Sequence, residues 1–271
     1  QFNHMILFVP AGQNWPELWI DPTDKAASRR PIPLDLEGKV SLVIHGDSSY
    51  ITVTPILEKD QEHRANLNHS LFLDSSGHAE FRDSLTLYGM FASAIRAEML
   101  ARDSKERQRY FTDWLTQAIP DAKLSSLQVE NVLEFTKPLI LVLTFTSDHY
   151  FAQTPSHIQA PYPNLWERSF LRLPKVAHRH HPLRLPHETQ FNWSLQVRGP
   201  QGAKVQLQSS NLSLEKLNYV QIDQAPQFQA SRATLRWRTL ATYADASEYN
   251  AIRREWNAVL NTTAPIVVLE K

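Results

Sequence analysis

Cysteine is absent from the 271-residue chain. Without thiols the chain cannot contain a disulfide scaffold, a zinc or iron-sulfur site with cysteine ligands, or a nucleophilic cysteine of its own. A chain that avoids cysteine suits an oxidising compartment, such as a periplasm. We therefore expect a periplasmic or cell-envelope location, and no thiol catalysis by these residues alone.

An excess of charge of either sign is also absent, because 28 basic residues balance 28 acidic ones. Surfaces that bind nucleic acid usually carry a basic excess, so we expect no nucleic-acid partner. The longest apolar run, Pro138 to Phe145, is far shorter than the roughly 18 to 20 residues of a membrane span. The sequence therefore predicts no membrane span, and it shows no signal peptide. Since the first residue is Gln1 and not methionine, we expect the chain to begin inside a longer polypeptide.

The residues that are present are typical of a folded globular protein, with 42% hydrophobic and 21% charged residues. Apolar positions at three- and four-residue steps predict helices over 90–100, 104–119 and 247–260. β-branched or alternating segments predict strands over much of the remainder. These strands are expected at 2–10, 18–22, 40–44, 50–56, 71–73, 79–86, 126–135, 139–146, 191–197, 204–207, 217–222, 233–243 and 265–269.

This order of elements predicts a mainly β fold, α+β overall. We expect an antiparallel β-sandwich with a helix pair and a C-terminal helix, preceded by a β-hairpin. A boundary is placed in the proline-containing connector, so that 1–36 form one unit and 37–271 the sandwich; a further division near Lys123 is the alternative. Residues 149–163, rich in proline, histidine and glutamine, are predicted to form a long surface loop.

The opening hairpin carries the candidate site. If the hairpin closes between Gly12 and Gln13, cross-strand partners have position numbers that sum to 25, and His4 then faces Asp21. A carboxylate that orients an imidazole is the base half of a catalytic triad, in which the other ring nitrogen serves a nucleophile. The alternative is a surface histidine and aspartate on an ordinary hairpin, since a register shift of one position would separate the two side chains.

The residues around this pair resemble a known family. Phe2-Asn3-His4 before an apolar strand, and Leu18-Trp19-Ile20-Asp21-Pro22-Thr23 after it, are similar to the histidine and aspartate segments of the transglutaminase-like superfamily. The remaining chain resembles, through weaker motifs, the C-terminal β-rich region of bacterial multidomain members. These motifs are Ser75-Ser76-Gly77, Gly89 before a helix with Arg96, Arg184-Leu185-Pro186, and Glu248-Tyr249.

The resemblance implies that the hairpin is the end of a papain-like core and that 37–271 form an accessory domain. It implies that His4 is the catalytic imidazole and Asp21 its orienting carboxylate in a Cys-His-Asp triad. The implied activity is that of a cysteine acyltransferase or peptidase acting on carboxamides of a protein or peptide substrate. The cysteine would lie in an upstream part of the same protein, so that this chain alone would be inactive. No cofactor is implied.

Two other features of the sequence could form sites, and one other function class fits it. His178, His180, His181 and His187 could bind a transition metal, but the neighbouring arginines and prolines favour a solvated basic edge. Trp15 and Trp166, in predicted loops, could contact a sugar or peptide, whereas Trp114, Trp237 and Trp256 are expected in the core. The alternative to an enzyme is a non-catalytic bacterial envelope module for binding or scaffolding, which the strand content and the missing thiol favour.

Overall fold

The structure is a computed structural model of the whole chain. It describes residues 4–23, 36–55, 63–153, 157–163, 165–166, 170, 179–185, 188–208, 220–227, 230–239, 242–262 and 266–270. No helix in these ranges is both long and apolar enough to cross a membrane.

Strands dominate the described residues, in agreement with the predicted mainly β, α+β class. The helices are α1 (Met90–Leu100), α2 (Ser104–Thr116) and α3 (Tyr249–Thr262), the last preceded by a 3-10 turn at Ala246–Glu248. The strands are β1 Leu7–Val9, β2 Leu18–Ile20, β3 Val40–His45, β4 Ser48–Val53, β5 Arg64–Leu73, β6 Ala79–Leu87, β7 Lys123–Glu130, β8 Leu139–Ser147, β9 Ala152–Gln153, β10 His157–Pro161, β11 Leu183–Leu185, β12 Thr189–Arg198, β13 Lys204–Gln208, β14 Val220–Gln227, β15 Ala230–Thr239, β16 Thr242–Ala244 and β17 Ile266–Glu270.

The largest sheet has seven strands in the order β14-β15-β12-β5-β6-β8-β7, and a second sheet has four in the order β13-β17-β10-β9. All pairings in the seven-stranded sheet are antiparallel except β5 with β12, which run parallel. A parallel pair needs a long crossover connection, and here the chain between these strands forms β6, the helix pair and the strands β7 to β11. The alternating sequence pattern of each strand is compatible with either direction, so only the structure identifies the parallel junction.

Both larger sheets contribute to one hydrophobic core. Strand β8 points Leu139, Leu141, Leu143 and Phe145 inward, and all four side chains are fully buried. Helices α1 and α2 add Phe91, Met99, Phe111 and Leu115 to the same cluster, and the four-stranded sheet adds Val205 and Val267. Burial of this apolar surface is the main stabilising contribution of the fold.

The turn between β5 and β6 is organised by Asp74. Asp74 Oδ1 accepts hydrogen bonds from the amide and hydroxyl of Ser76 and from the amide of His78, at 2.6 to 3.1 Å. Gly77 has a φ of 107°, a conformation that side chains with a Cβ rarely adopt. Helix α2 follows its N-cap Asp103, where Asp103 and Glu106 form a reciprocal capping box.

Residues 149–163 do not form the predicted surface loop. Strands β9 and β10 lie in this range, and β10 pairs with β17 at the far end of the chain. Trp166, predicted in a loop and a candidate for exposure, is 1% exposed. Pairing between segments this distant in sequence leaves no local pattern, and the proline-rich composition concealed it.

Arg96 ties helix α1 to the connection between β7 and β8. Its side chain is buried, and Nη2 donates to the carbonyl oxygens of Asn131, Glu134 and Lys137 at 3.3, 3.2 and 2.6 Å. Burial lowers the pKa of the Arg96 guanidinium from its ordinary value. Asn131, in the left-handed region with φ of 62°, also donates from Nδ2 to the carbonyl of Pro138. The arginine therefore organises a tight connection from inside.

We expect Arg96→Met to lower the free energy of unfolding by about 2–4 kcal/mol, because three carbonyl groups lose a charged donor. Chemical denaturation followed by circular dichroism measures this change. The matched control is Arg109→Met on the exposed side of α2, which should change stability by no more than about 0.5 kcal/mol. Equal stability of the two variants would show that Arg96 does not organise the connection.

A second, smaller hydrophobic cluster contains the opening hairpin. Trp19 of β2 and Val43 of β3 are buried together, with Ile6, Phe8 and Leu36 packed against them. The hairpins β1-β2 and β3-β4 are separate two-stranded sheets, so this contact joins residues on both sides of the boundary placed at 36. The division of the chain into 1–36 and 37–271 stays a prediction.

Candidate functional site

The opening hairpin brings the two predicted residues together through a register that differs from the predicted one. Leu7 pairs with Ile20, Phe8 with Trp19 and Val9 with Leu18, so partner numbers sum to 27 and not to 25. The difference is two positions, and because side chains alternate along a strand, a shift of two keeps each side chain on its face. His4 precedes β1 and Asp21 directly follows β2, so the pair lies at the open end of the hairpin.

His4 and Asp21 are in direct contact. The imidazole Nε2 lies 2.7 Å from Asp21 Oδ2. The Asp21 side chain is only 5% exposed, whereas that of His4 is 38% exposed. The carboxylate therefore sits inside the hairpin, and the imidazole stands between it and solvent.

The other carboxylate oxygen of Asp21 is held by the residue two positions along the chain. Asp21 Oδ1 accepts hydrogen bonds from the Thr23 amide at 2.9 Å and from the Thr23 hydroxyl at 2.7 Å. Burial alone would raise the pKa of the Asp21 carboxyl, but the hydrogen bonds from Thr23 and His4 outweigh burial and lower the pKa. The carboxylate is therefore ionised and fixed in orientation at neutral pH.

The hairpin carries an aromatic pair close in sequence to the candidate site. Trp19 is 3% exposed, stacks at a tilt on Phe8 with ring centroids 4.6 Å apart, and donates from Nε1 to Glu17 Oε1 at 2.6 Å. In the observed register, Phe8 and Trp19 face each other, and the alternation of side chains places His4 and Asp21 on the same side of the hairpin. The aromatic pair thus fixes β1 against β2 next to the end of the hairpin that carries His4 and Asp21.

This arrangement has a defined chemical capacity. With Asp21 ionised, Nε2 of His4 carries the proton that is donated to Oδ2, so Nδ1 is the nitrogen that can take a proton from a nucleophile. The carboxylate stabilises the imidazolium that this transfer produces. The 271 residues supply no thiol, so the pair is a base and its orienter without a cysteine from this chain.

We expect Thr23→Val to raise the pKa of Asp21 toward that of an ordinary aspartate, because the variant loses the hydroxyl that donates to Oδ1 and keeps only the hydrogen bond from the backbone amide. A depressed pKa stabilises the folded state above the pKa of the unfolded chain, and this contribution is lost as the pH falls through the folded-state pKa. The difference in the free energy of unfolding between the original protein and the variant should therefore be largest near neutral pH and should disappear in acid.

An NMR titration of the Asp21 carboxyl, with unfolding measured between neutral and acidic pH, checks this result. Thr112→Val is the control, since the Thr112 hydroxyl donates to the carbonyl of Gln108 in α2 and contacts no carboxylate. A Thr23→Val variant with an unchanged Asp21 titration would contradict the assigned hydrogen bonds.

Two further histidine-aspartate pairs among the described residues differ from this one in exposure. His69 Nδ1 lies 2.8 Å from Asp83 Oδ1, and both side chains are almost fully buried. His78 Nδ1 lies 3.0 Å from Asp148 Oδ1, and these side chains are 36% and 47% exposed. A general base needs a fixed carboxylate together with an imidazole that a reactant can reach. Of the three pairs, His4 with Asp21 has both properties.

The buried pair is part of a polar network that the sequence analysis missed. Asp83 Oδ2 accepts a hydrogen bond from Trp166 Nε1 at 2.9 Å, and Asp83 Oδ1 accepts one from the Tyr162 hydroxyl at 3.4 Å. His69 and Asp83 are direct partners in the register of β5 and β6. Cross-strand partners in a hairpin have position numbers with a constant sum. In the β5-β6 hairpin this sum is 152, as for Leu73 with Ala79, and it pairs His69 with Asp83.

The histidine-rich segment shows no metal site in the part of the chain that the structure describes. Arg179 donates from Nε to the carbonyl of His181 and from Nη2 to that of Pro182, both at 3.2 Å, and its guanidinium lies 5.5 Å from the Tyr249 ring centroid. His180 and His181 are exposed. His178 and His187 lie outside the described residues. Among those described, no group of three potential ligands is arranged to hold a metal ion.

The described tryptophans differ in exposure. Trp15 is 53% exposed and donates to the carbonyl of Pro10 at 3.2 Å, as expected for a loop residue. Trp256 is 7% exposed, and Trp114 is partly buried against the core. The side chain of Trp237 lies outside the described set.

Comparisons with known proteins identify no family. No family model matches the chain, and no curated protein matches it. A solved structure from Parabacteroides distasonis, described as a "putative protease", is 10% identical and matches over 77% of this chain and 40% of that chain, with a TM-score of 0.21. At that score the similarity carries no argument about fold or function, and the matched region spans less than half of the other protein.

Proposed function

We propose that His4 and Asp21 are two members of the Cys-His-Asp triad of a transglutaminase-like cysteine acyltransferase or peptidase. The observation that carries the proposal is the 2.7 Å contact between a half-exposed imidazole and a buried, hydrogen-bonded carboxylate. The sequence resemblance of the two segments that hold these residues supports it.

The nucleophile in this proposal is a cysteine on polypeptide outside the 271 residues, since none of these is cysteine. Nδ1 of His4 takes the thiol proton, and the thiolate attacks the carbonyl carbon of a carboxamide or peptide bond. The C–N bond then breaks, the leaving nitrogen takes the proton from the imidazolium, and a thioester remains. Water resolves the thioester by hydrolysis, or a primary amine resolves it by acyl transfer, and either step regenerates the thiol. The substrate class is a protein or peptide.

The test compares this chain alone with the longest natural translation product that contains it. We expect the chain alone to be inactive. The longer product should either attach a fluorescent primary amine to a glutamine-containing protein or hydrolyse carboxamide or peptide bonds of that protein. Pretreatment with iodoacetamide should abolish the activity. A longer product without a cysteine ahead of a helix, or activity that survives alkylation, would refute the proposed chemistry.

A non-catalytic binding module for the bacterial cell envelope is the second candidate. The observation that favours it is the outward face of β5, β6, β12 and β15, whose described side chains are mostly polar and exposed or half-buried. In that case the longer product should lack amidase and acyltransferase activity while binding an envelope component. Fractionation of cells that produce the protein would test the proposed periplasmic or envelope location.

A further inference from the structure

The seven-stranded sheet presents hydrogen-bonding groups to solvent along its outward face. On β5 and β12 the outward positions include Asn66, Asn68, Ser70, Asn192 and Ser194. Neighbouring side chains bond to one another across the parallel junction. Asn192 Nδ2 donates to Asn66 Oδ1 at 2.7 Å, and Ser194 Oγ donates to Asn68 Oδ1 at 2.8 Å. These bonds hold the amides and hydroxyls in a regular array.

Arginines lie beside this array on one side. Arg232, Arg236 and Arg238 alternate along β15, opposite Gln196, Asn192 and Gln190 of β12. Arg198 ends β12 on the same face, and all four arginines are exposed. Arg232 and Arg236 are four residues apart, which in a strand is about 13 Å.

Acidic residues offset only part of this charge. Glu188 forms an ion pair with Arg238. Among the described side chains, four arginines therefore share this side of the face with the carboxylate of Glu188. In a chain whose net charge is zero, this is a local basic excess of exposed side chains, and it favours an anionic partner.

The neighbouring chemistry indicates which kind of anion. Nucleic-acid binding to single strands relies on several stacking aromatics, and Phe72 is the one aromatic residue at the outward positions of β5, β6, β12 and β15. A protein partner usually needs a cluster of apolar anchors, and Phe72 is the one large apolar side chain described at these outward positions. Sugar hydroxyls form hydrogen bonds with side-chain amides and hydroxyls. Planar guanidinium groups bind carboxylates through two hydrogen bonds.

We propose that this face, defined by β5, β12 and β15, binds a carboxylated polysaccharide. The polymer lies across the sheet, its carboxylates paired with Arg232 and Arg236 and its hydroxyls bonded to the amides of β12. The site is separate from His4 and Asp21, so it holds whether or not the chain belongs to a thiol enzyme.

The test uses polygalacturonate as the probe and isothermal titration calorimetry on the 271-residue chain at low salt. We expect binding that weakens with added salt, and the double variant Arg232→Gln, Arg236→Gln should weaken it by about tenfold or more. The matched control is Arg109→Gln, Arg254→Gln, which removes two exposed arginines from α2 and α3 and should leave the affinity within about twofold.

Three outcomes would overturn the proposal. The first is absence of polygalacturonate binding by the original chain. The second is equal loss in the two double variants, which would mean that only total charge matters. The third is tighter binding of poly-glutamate than of polygalacturonate, which would assign the face to an acidic protein. Neutral dextran serves as the probe without carboxylates and should bind at least about tenfold more weakly.

Discussion

Asp21→Asn is expected to lower kcat for acyl transfer by about 10⁴-fold in the cysteine-bearing polypeptide, and His4→Ala should cost at least as much. The amide of asparagine keeps the shape of the side chain but can donate a proton to Nε2, which allows the wrong imidazole tautomer. It also removes the negative charge that stabilises the imidazolium. With His4→Ala, no base remains to deprotonate the thiol.

The measurement is amine incorporation by the thiol-bearing protein, with a thermal unfolding curve for each variant. A second readout is the pH dependence of alkylation by iodoacetamide, because a thiolate stabilised by His4 should react at lower pH than the same thiol without it. A merely structural role for Asp21 would change unfolding without moving this alkylation profile.

His45→Ala with Asp47→Asn provides the matched control. Both residues are exposed and lie at the end of β3 and in the following turn, close in sequence to the candidate pair. The double variant removes one imidazole and one carboxylate and should retain the original kcat. If Asp21→Asn retained it as well, His4 and Asp21 would be a surface pair on an ordinary hairpin.

Asp83→Ala is expected to lower the free energy of unfolding by about 3–5 kcal/mol, since it leaves the donors around a buried carboxylate without their acceptor. The His69 imidazole, the Trp166 indole and the Tyr162 hydroxyl all point at this one side chain. None of them is more than 3% exposed, so water cannot replace the carboxylate without opening the core. The substitution also leaves a cavity at the centre of the seven-stranded sheet.

Urea unfolding followed by tryptophan fluorescence measures the effect, since Trp166 reports directly on the network. Asp113→Ala, on the exposed side of α2, makes the same chemical change and should alter stability by no more than about 0.5 kcal/mol. Asp83→Asn keeps an acceptor oxygen and should fall between the two, which provides a measurement if Asp83→Ala does not fold. Equal stability of Asp83→Ala and Asp113→Ala would mean that the network does not hold the core together.

The local part of the fold could be predicted from sequence because its signals are local. Strand patterns predicted β8 and β12, and apolar residues at three- and four-residue steps predicted α1 and α2. In the opening hairpin, the facing of His4 and Asp21 followed from strand alternation, although the predicted register was two positions from the observed one. A register error of two positions keeps each side chain on its side of the hairpin, so His4 and Asp21 still lie on the same side.

The non-local part could not be predicted in the same way. No pattern within β5 or β12 indicates that these strands are parallel neighbours. Likewise, no local pattern indicates that β10 pairs with β17, more than 100 positions away. Trp166 seemed a loop residue because proline-rich neighbours surround it, yet it closes the Asp83 network from a segment 83 positions distant. Such contacts depend on how sheets and helices bury their apolar faces together, which single segments do not encode.

The amino-acid sequence by itself determined the mainly β class, the faces of the long strands, and the fact that this chain has no thiol of its own. It also placed an imidazole and a carboxylate on one face of a hairpin, because side chains alternate with a period of two. Tertiary structure decided which of the three histidine-aspartate pairs has an exposed imidazole on a buried carboxylate. It also decided which arginines share one exposed surface, since exposure depends on what the rest of the chain packs against.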